Sequence, residues 1–240
     1  MPSLEVHYLF NSGFAVKSGH NLLIFDYYLN TAVNLEQLID NSENVWIFCS
    51  HRHADHYNPA IGQWQDKVCS YFLSDDIRYE EGIRQIKKEK VVFMTPYETA
   101  VSGVLRVATY GSTDEGVSFY VEVDDWRLFH AGDLNWWHWK GDTAENIRLA
   151  EAAFRAEMTK IAHLNLDIAF FPVDSRLEEY RAAGVEVFCQ TVTVSQLIAM
   201  HTRGKVWSPP PNFPGQQRNV TVWCPDQSGD KRIFAKEKDV

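Results

Sequence analysis

The chain has 240 residues, 45% of them hydrophobic and 13% aromatic, and a formal net charge of −9. A chain of this length can bury a sizeable core, and its composition is that of a soluble globular protein, not a disordered or fibrous one. The acidic balance repels phosphate backbones and anionic bilayers, so neither nucleic acid nor membrane is an expected partner and a small-molecule substrate is. No run approaches 18 apolar residues, and the start MPSLEVHYLF lacks a basic stretch before an apolar one, so no membrane span or signal peptide is expected. Cys49, Cys69, Cys189 and Cys224 lie far apart without C-x-x-C spacing. They read as buried free thiols of a reducing compartment, and the protein as cytoplasmic.

The first 28 residues read as strands joined by polar turns: LEVHYLF, GFAVKS and NLLIFDYY, which predicts an antiparallel opening. A short helical pattern covers 34–39, and VWIFC then fits a strand buried on both faces. Beyond it, Asn58 is a plausible helix N-cap with Pro59 at the first helical position. A strand (CSYFLS), a helix over 76–88 carrying Ile77, Ile83 and Ile86, and a strand (VVFMTP) complete an α/β rhythm. The pattern then returns to β in LRVATYG, GVSFYVEV and WRLFHAGD, with VDDW as a tight hairpin turn. A second α/β rhythm follows, with helices predicted near 143–164 and 177–183 and strands over 167–172 and 195–201. SPPPNFPG reads as rigid loop, and TVWCP as an edge strand. The economical organisation is one domain over 1–240 made of two similar halves, about 1–120 and 121–240.

Where VWIFC stops, the chain reads SHRHADHYNP. In an extended segment residues two apart share a side, so His51, His53 and Asp55 leave the strand end facing one way, and a bend at Asn58-Pro59 lets His56 join them. Imidazole nitrogens and a carboxylate oxygen suit Zn²⁺, and also Mn²⁺ or Fe²⁺. Four such groups within six residues exceed what one tetrahedral ion easily accepts, which favours two adjacent ions. The bland alternative is a solvated polar loop.

HRHADH resembles the H-x-H-x-D-H signature of the metallo-β-lactamase fold superfamily. The resemblance extends over roughly residues 4–205 and is nearest the lactonase and phosphodiesterase-like branch. It implies an α/β (α+β) fold, a four-layered αβ/βα sandwich with one or two zinc ions at the edge of facing sheets. It also implies that Asp26 in LLIFD steadies the histidine loop, that Asp133 in FHAGD bridges two ions, and that His201 in LIAMH binds the second. Members usually carry a further histidine between the cluster and the bridging aspartate. Here that segment reads TYGSTDEG, which leaves Ser112, Asp114, Tyr110 or water to take its place.

His130 is expected to be a buried or supporting group, since strand alternation sets it opposite Asp133, and His138 in LNWWHWKGD is the better candidate for the missing contact. Trp136, Trp137 and Trp139 either wall a substrate pocket or cover a sheet edge. Asp174 either faces the same rim or caps a helix, and Arg203 and Lys205 either hold an anionic substrate group or are solvated. His7, His20 and His163 receive no role. The implied activity is a metal-dependent hydrolase in which ions lower the pKa of a held water toward about 7 for attack on an ester, lactone or phosphodiester, with Asp55 orienting it and taking its proton. The alternatives are a non-catalytic or degenerate metal-binding protein and a di-iron oxidoreductase on the same fold.

Overall fold

A computed structural model describes residues 3–29 and 31–236. The opening is antiparallel, as β1 (Ser3–Phe10), β2 (Gly13–Ser18) and β3 (Asn21–Phe25), and β4 (Asn44–Cys49), β5 (Ser70–Ser74) and β6 (Val91–Met94) continue the sheet in parallel. A second sheet repeats the scheme. Its strands β7 (Thr99–Ser102), β8 (Leu105–Tyr110), β9 (Ser118–Val123) and β10 (Trp126–His130) are antiparallel, and β11 (Asn165–Pro172), β12 (Thr193–Met200) and β13 (Thr221–Trp223) run parallel to β10. β14 (Lys231–Ala235) returns to pair with β1, so each sheet has seven strands. The sheets hand over at 95–98, well before the expected 120, because the hairpin strands β7 to β9 belong to the second sheet.

The apolar runs segregate by alternation. In β3 and β4, Leu23, Phe25, Trp46 and Phe48 join the core that contains Phe119, Phe129 and Phe170 of the second sheet. Leu22, Ile24, Val45, Ile47 and Cys49 face the other way, onto Leu35 and Ile39 of α1 (Leu35–Asp40) and onto Ile61, Ile77 and Ile83. Both faces are therefore covered, the arrangement that permits unbroken hydrophobic strands. The second sheet carries α2 (Ala144–Ile161), through Phe154 and Met158, and α3 (Ala183–Thr191), through Val185 and Phe188. A short α4 (Pro214–Gln217) lies against α3. The layers are helix, sheet, sheet, helix. No helix among the described residues is long and apolar enough to cross a membrane.

Three expectations need correction. The segment 76–88 is not one helix but three short 3-10 turns, Asp75–Tyr79, Ile83–Gln85 and Lys88–Lys90. Gly82 interrupts it with φ +83, against Pro59, where a Cβ would lie 2.7 Å from the proline Cβ. The helix expected over 177–183 is a 3-10 segment, Ser175–Tyr180, kinked at Glu178 (φ 51), and the true helix α3 begins where that prediction ended. Of the four thiols, only Cys49 and Cys189 are buried, while Cys69 is exposed and Cys224 half-buried. The hairpin at VDDW forms as expected: Val123 pairs with Trp126, and Asp124 (φ 47) and Asp125 (φ 68) take the left-handed conformations of a type I′ turn.

Candidate metal centre

Parallel strands end together, so the C-terminal ends of β3 and β4 meet those of β10, β11 and β12 along one edge of the sandwich. Asp26, Ser50, Asp133, Asp174 and His201 all lie within three residues of those ends. Ligands of open α/β sheets collect at such carboxyl ends.

Asp26 follows β3 in a left-handed conformation (φ 44) and is buried. Its carboxylate accepts from Ser50 N–H at 2.8 Å and from Ser50 Oγ and His56 Nδ1 at 2.7 Å. The histidine loop is thereby tied at its first and last turns. Within it, the His56 and Tyr57 N–H groups donate to His53 O at 2.9 and 3.0 Å, which bends the chain back and brings His56 beside His51, ring centroids 4.0 Å apart.

The donors form two groups, His51, His53 and Asp133, and Asp55, His56 and His201; in each group the donor atoms lie within 4.8 Å of one another. In the first, His51 Nε2 is 3.0 Å from His53 Nδ1 and 3.7 Å from Asp133 Oδ2. In the second, Asp55 Oδ2 is 3.4 Å from His201 Nε2 and 3.9 Å from His56 Nε2. Asp133 joins them, its Oδ1 lying 3.2 Å from His56 Nε2 and 3.5 Å from His201 Nε2. His56 Nε2, His201 Nε2 and Asp133 Oδ1 are nonetheless buried without a hydrogen bond, because they point at shared space and not at one another. Orphaned buried donors of this kind are costly unless a cation satisfies them, and the mixed nitrogen and oxygen set suits a divalent transition metal. The residues fit the ions that the sequence implies.

The electrostatics agree. Burial, aided by nearby His56, lowers the His51 imidazole to about 4 and keeps it neutral. Burial would also lower His201, but Asp133 and Asp174 outweigh it and raise that imidazole to about 9; Asp133 and Asp26 likewise raise His56. For Asp133 and Asp55, burial opposes ionisation but the facing histidines prevail and hold both carboxyls well below the usual range.

Asp174 does not open onto a substrate. Fully buried, it holds His201 Nδ1 at 3.0 Å and caps the following 3-10 turn by accepting from Arg176 N–H at 2.8 Å. His130 lies between the sheets, stacked on Phe25 with its Nε2 on Ser12 O at 2.8 Å, outside both donor groups. His138 stacks on Tyr180 at 3.7 Å and Ser112 Oγ accepts from Asp114 N–H at 3.2 Å, so neither joins a donor group. From the same segment two carboxylates approach His53, Asp114 with Oδ2 3.8 Å from Nδ1 and Glu115 with Oε2 3.6 Å from Nε2.

A cavity of about 530 Å³ opens over the cluster, with His53, Asp55, Asp133 and His201 on its floor. Trp137 and Trp139 line it, stacked at 5.6 Å and 7°. Trp136 does not, packing instead on the core beneath Arg155. Arg203 lines it with Nη1 3.2 Å from Asp55 Oδ2. Three contributors carry no sequence signal. Asn11 donates to Asp55 Oδ2 at 3.2 Å and accepts His201 N–H on its carbonyl at 2.9 Å. Thr113 exchanges hydrogen bonds with the Asn135 backbone, and Arg176 lines the cavity mouth.

No protein-family model and no curated protein matches the chain. Solved structures do match. Igni18, a novel metallo hydrolase from the hyperthermophilic archaeon Ignicoccus hospitalis, superposes over 98% of this chain and 100% of its own, with TM-score 0.68 and 15% identity. YhfI from Bacillus subtilis, described as a metallo-β-lactamase fold protein, covers 98% and 100%, with TM-score 0.56 and 12% identity. The chain has the metallo-β-lactamase fold. CmlA from Streptomyces venezuelae, a diiron β-hydroxylase, shares it over 97% of this chain, which spans 54% of CmlA, with TM-score 0.61 and 11% identity. At these identities the likeness is one of backbone, and a metallo-β-lactamase fold does not assign a reaction.

Proposed function

We propose that the protein is a metal-dependent hydrolase that holds two divalent ions, zinc foremost, and cleaves an ester, lactone or phosphodiester bond in a small molecule. One observation carries this reading: two donor groups meet on Asp133, with unsatisfied nitrogen and oxygen atoms facing a single open cavity. His51, His53 and Asp133 would hold one ion, and Asp55, His56, His201 and Asp133 the other. Ions so held supply Lewis acidity and lower the pKa of bound water toward about 7.

The chain's own groups do the positioning. Asp26 and Asp174 occupy the Nδ1 sides of His56 and His201, fixing tautomer and ring orientation so that each Nε2 faces the centre. Asp55, which lines the cavity, would orient the attacking water and take its proton. Trp137 donates from Nε1 to Asp133 O at 3.2 Å and shields the floor from solvent. The cavity suits a metabolite-sized ligand. The ester, lactone and phosphodiester classes are proposed on the resemblance of HRHADH, Asp133 and His201 to the lactonase and phosphodiesterase-like branch. Its free thiols fit a reducing, cytoplasmic setting.

A di-iron oxidoreductase is a second reading, favoured by Asp114 beside His53, since an added hard carboxylate suits iron or manganese. Metal identity and count in protein purified without chelator separate the readings. Two zinc ions per chain and hydrolysis within an ester, lactone and phosphodiester panel, both lost in His51→Ala and His201→Ala, are expected. Iron with visible absorption turns the assignment to the oxidoreductase, and a metallated but inert protein to a non-catalytic metal-binding role. Absence of bound ions, with both variants unchanged in ion content, refutes the metal centre itself.

A further inference from the structure

Asp174 anchors more than His201. Its carboxylate also accepts from Arg176 Nε, 3.0 Å from Oδ2, and from Arg176 Nη2 at 2.6 Å. The same guanidinium lies over the Trp139 ring, Cζ 5.1 Å from the centroid, and Trp139 stacks in turn on Trp137. Arg176 is thus gripped from two sides, while its Nη1 makes no hydrogen bond among the described residues and the side chain lines the cavity over the metal centre. Asp174 already has the Arg176 backbone N–H and His201 as partners, so a guanidinium is not needed to satisfy it. A fixed planar fork with an unused donor is a preorganised receptor for a second oxyanion. Charge points the same way. Without ions, Arg176, Arg203 and the charged His201 about balance Asp55, Asp114 and Asp133, and two divalent ions would make the cavity positive within a protein of net charge −9. A cleft of that sign collects small anions that the rest of the surface repels.

We propose that Arg176 recognises an oxyanion, a carboxylate or phosphoryl group, on the substrate beside the bond that is cut, with Trp137 and Trp139 covering an apolar part of the same molecule. The proposal rests on the reading of this cavity as the substrate site. Because Asp174 links Arg176 to His201 directly, the distance from the substrate anion to the metal centre is set by the protein and not by the ligand. Arg176 is accordingly a specificity-determining residue, and neutral analogues of the substrate bind without its help.

Calorimetric titration of the zinc-loaded protein with benzoate, phenylphosphonate and neutral benzamide tests this without turnover, with ion content measured for every variant. Arg176→Met is expected to weaken at least one of the anions by about tenfold or more and to leave benzamide unchanged; the anion that loses more names the headgroup. Arg176→Lys, which keeps a cation against Asp174 but loses the fork, is expected to fall in the same direction, and it decides the matter where the methionine variant sheds ions. Both anions bound as tightly by both variants as by wild type overturns the proposal. Anion binding through Arg176 by a protein that hydrolyses nothing refutes the hydrolase reading and leaves this assignment standing. Hydrolysis with KM for anionic and neutral esters alike indifferent to Arg176 does the reverse.

Discussion

Replacing Asp26 by asparagine isolates the support of the metal centre from the centre itself. The side chain keeps its shape, and asparagine tolerates the left-handed backbone (φ 44) at this position, so conformational strain is not introduced. The hydrogen bonds cannot all survive. Oδ1 accepts from Ser50 N–H, and Oδ2 from Ser50 Oγ and His56 Nδ1. An amide group must turn its NH2 toward one of these sides, and although the Ser50 hydroxyl can rotate to accept, either the Ser50 N–H or the His56 N–H is left facing a donor. One unsatisfied buried donor costs about 1–3 kcal/mol. For a chain of this length that corresponds to a melting temperature lower by about 2–12 °C. His56 also loses the partner that aims Nε2 at the centre, for which a 10- to 100-fold loss of ion affinity is the usual order. Thermal unfolding of chelator-treated protein reads the first effect, and competition against a chromophoric chelator reads the second. An Asp26→Asn variant that melts with wild type and retains its ions equally well would refute the assignment of Asp26 as the anchor of the histidine loop.

Gly116→Ala strikes the same loop from outside. Its φ of +76 disfavours any side chain, and a Cβ would lie 2.0 Å from Ser50 O and 2.6 Å from His51 Cβ, so a loss of about 1–3 kcal/mol or more and a fall in ion content are expected by melting and metal analysis. Asp167, packed against Arg127 (N–H at 2.8 Å) and Lys236 (3.0 Å), has its carboxyl depressed: burial opposes ionisation, but these partners outweigh it. A depressed carboxyl stabilises above its unfolded pKa, about 3.9, and the benefit disappears as pH falls through the lower folded value. The stability gap between wild type and Asp167→Asn should therefore be constant near neutrality and close below about pH 4 in urea titrations; a gap that widens on acidification contradicts the pairing. Burial raises the Cys189 thiol to about 12 and the Cys224 thiol to about 11. An aromatic disulfide reagent is expected to modify exposed Cys69 first in native protein, and fast labelling lost in Cys189→Ala instead would contradict that order.

The fold was legible wherever local pattern and burial coincide. β3 and β4 are apolar on both faces because both faces are covered, and VDDW carries its turn chemistry in its own residues. Patterns misled where a tertiary contact overrode them. Ile77, Ile83 and Ile86 are all buried as their spacing implies, yet Gly82 turns against Pro59 and leaves 3-10 turns in place of a helix. α3 was missed because VEVFC is rich in β-branched and aromatic residues, a strand composition that packing on the second sheet forces into a helix.

The candidate site divides along the same line. His51, His53, Asp55 and His56 announce themselves because six consecutive residues supply them, whereas Asp133 and His201 are marked only by resemblance and meet the cluster because β10 and β12 end beside β4. Asn11, Asp174 and Arg176 act through partners far away in the chain or through a shared carboxylate, and no periodicity encodes such contacts. The tryptophan loop follows the same rule, because the sequence offers Trp136, Trp137 and Trp139 alike and only the fold sorts them. The segment is not extended at this point: the His138 N–H donates to Trp136 O at 2.8 Å, a tight turn that parts Trp136 from the two indoles after it. The structure sends Trp137 and Trp139 to the cavity and Trp136 to the core. The turn at His138 therefore helps decide which indoles line the cavity, and because Trp139 is also the ring beneath Arg176, it sets the pair that places an apolar surface beside the free edge of that guanidinium.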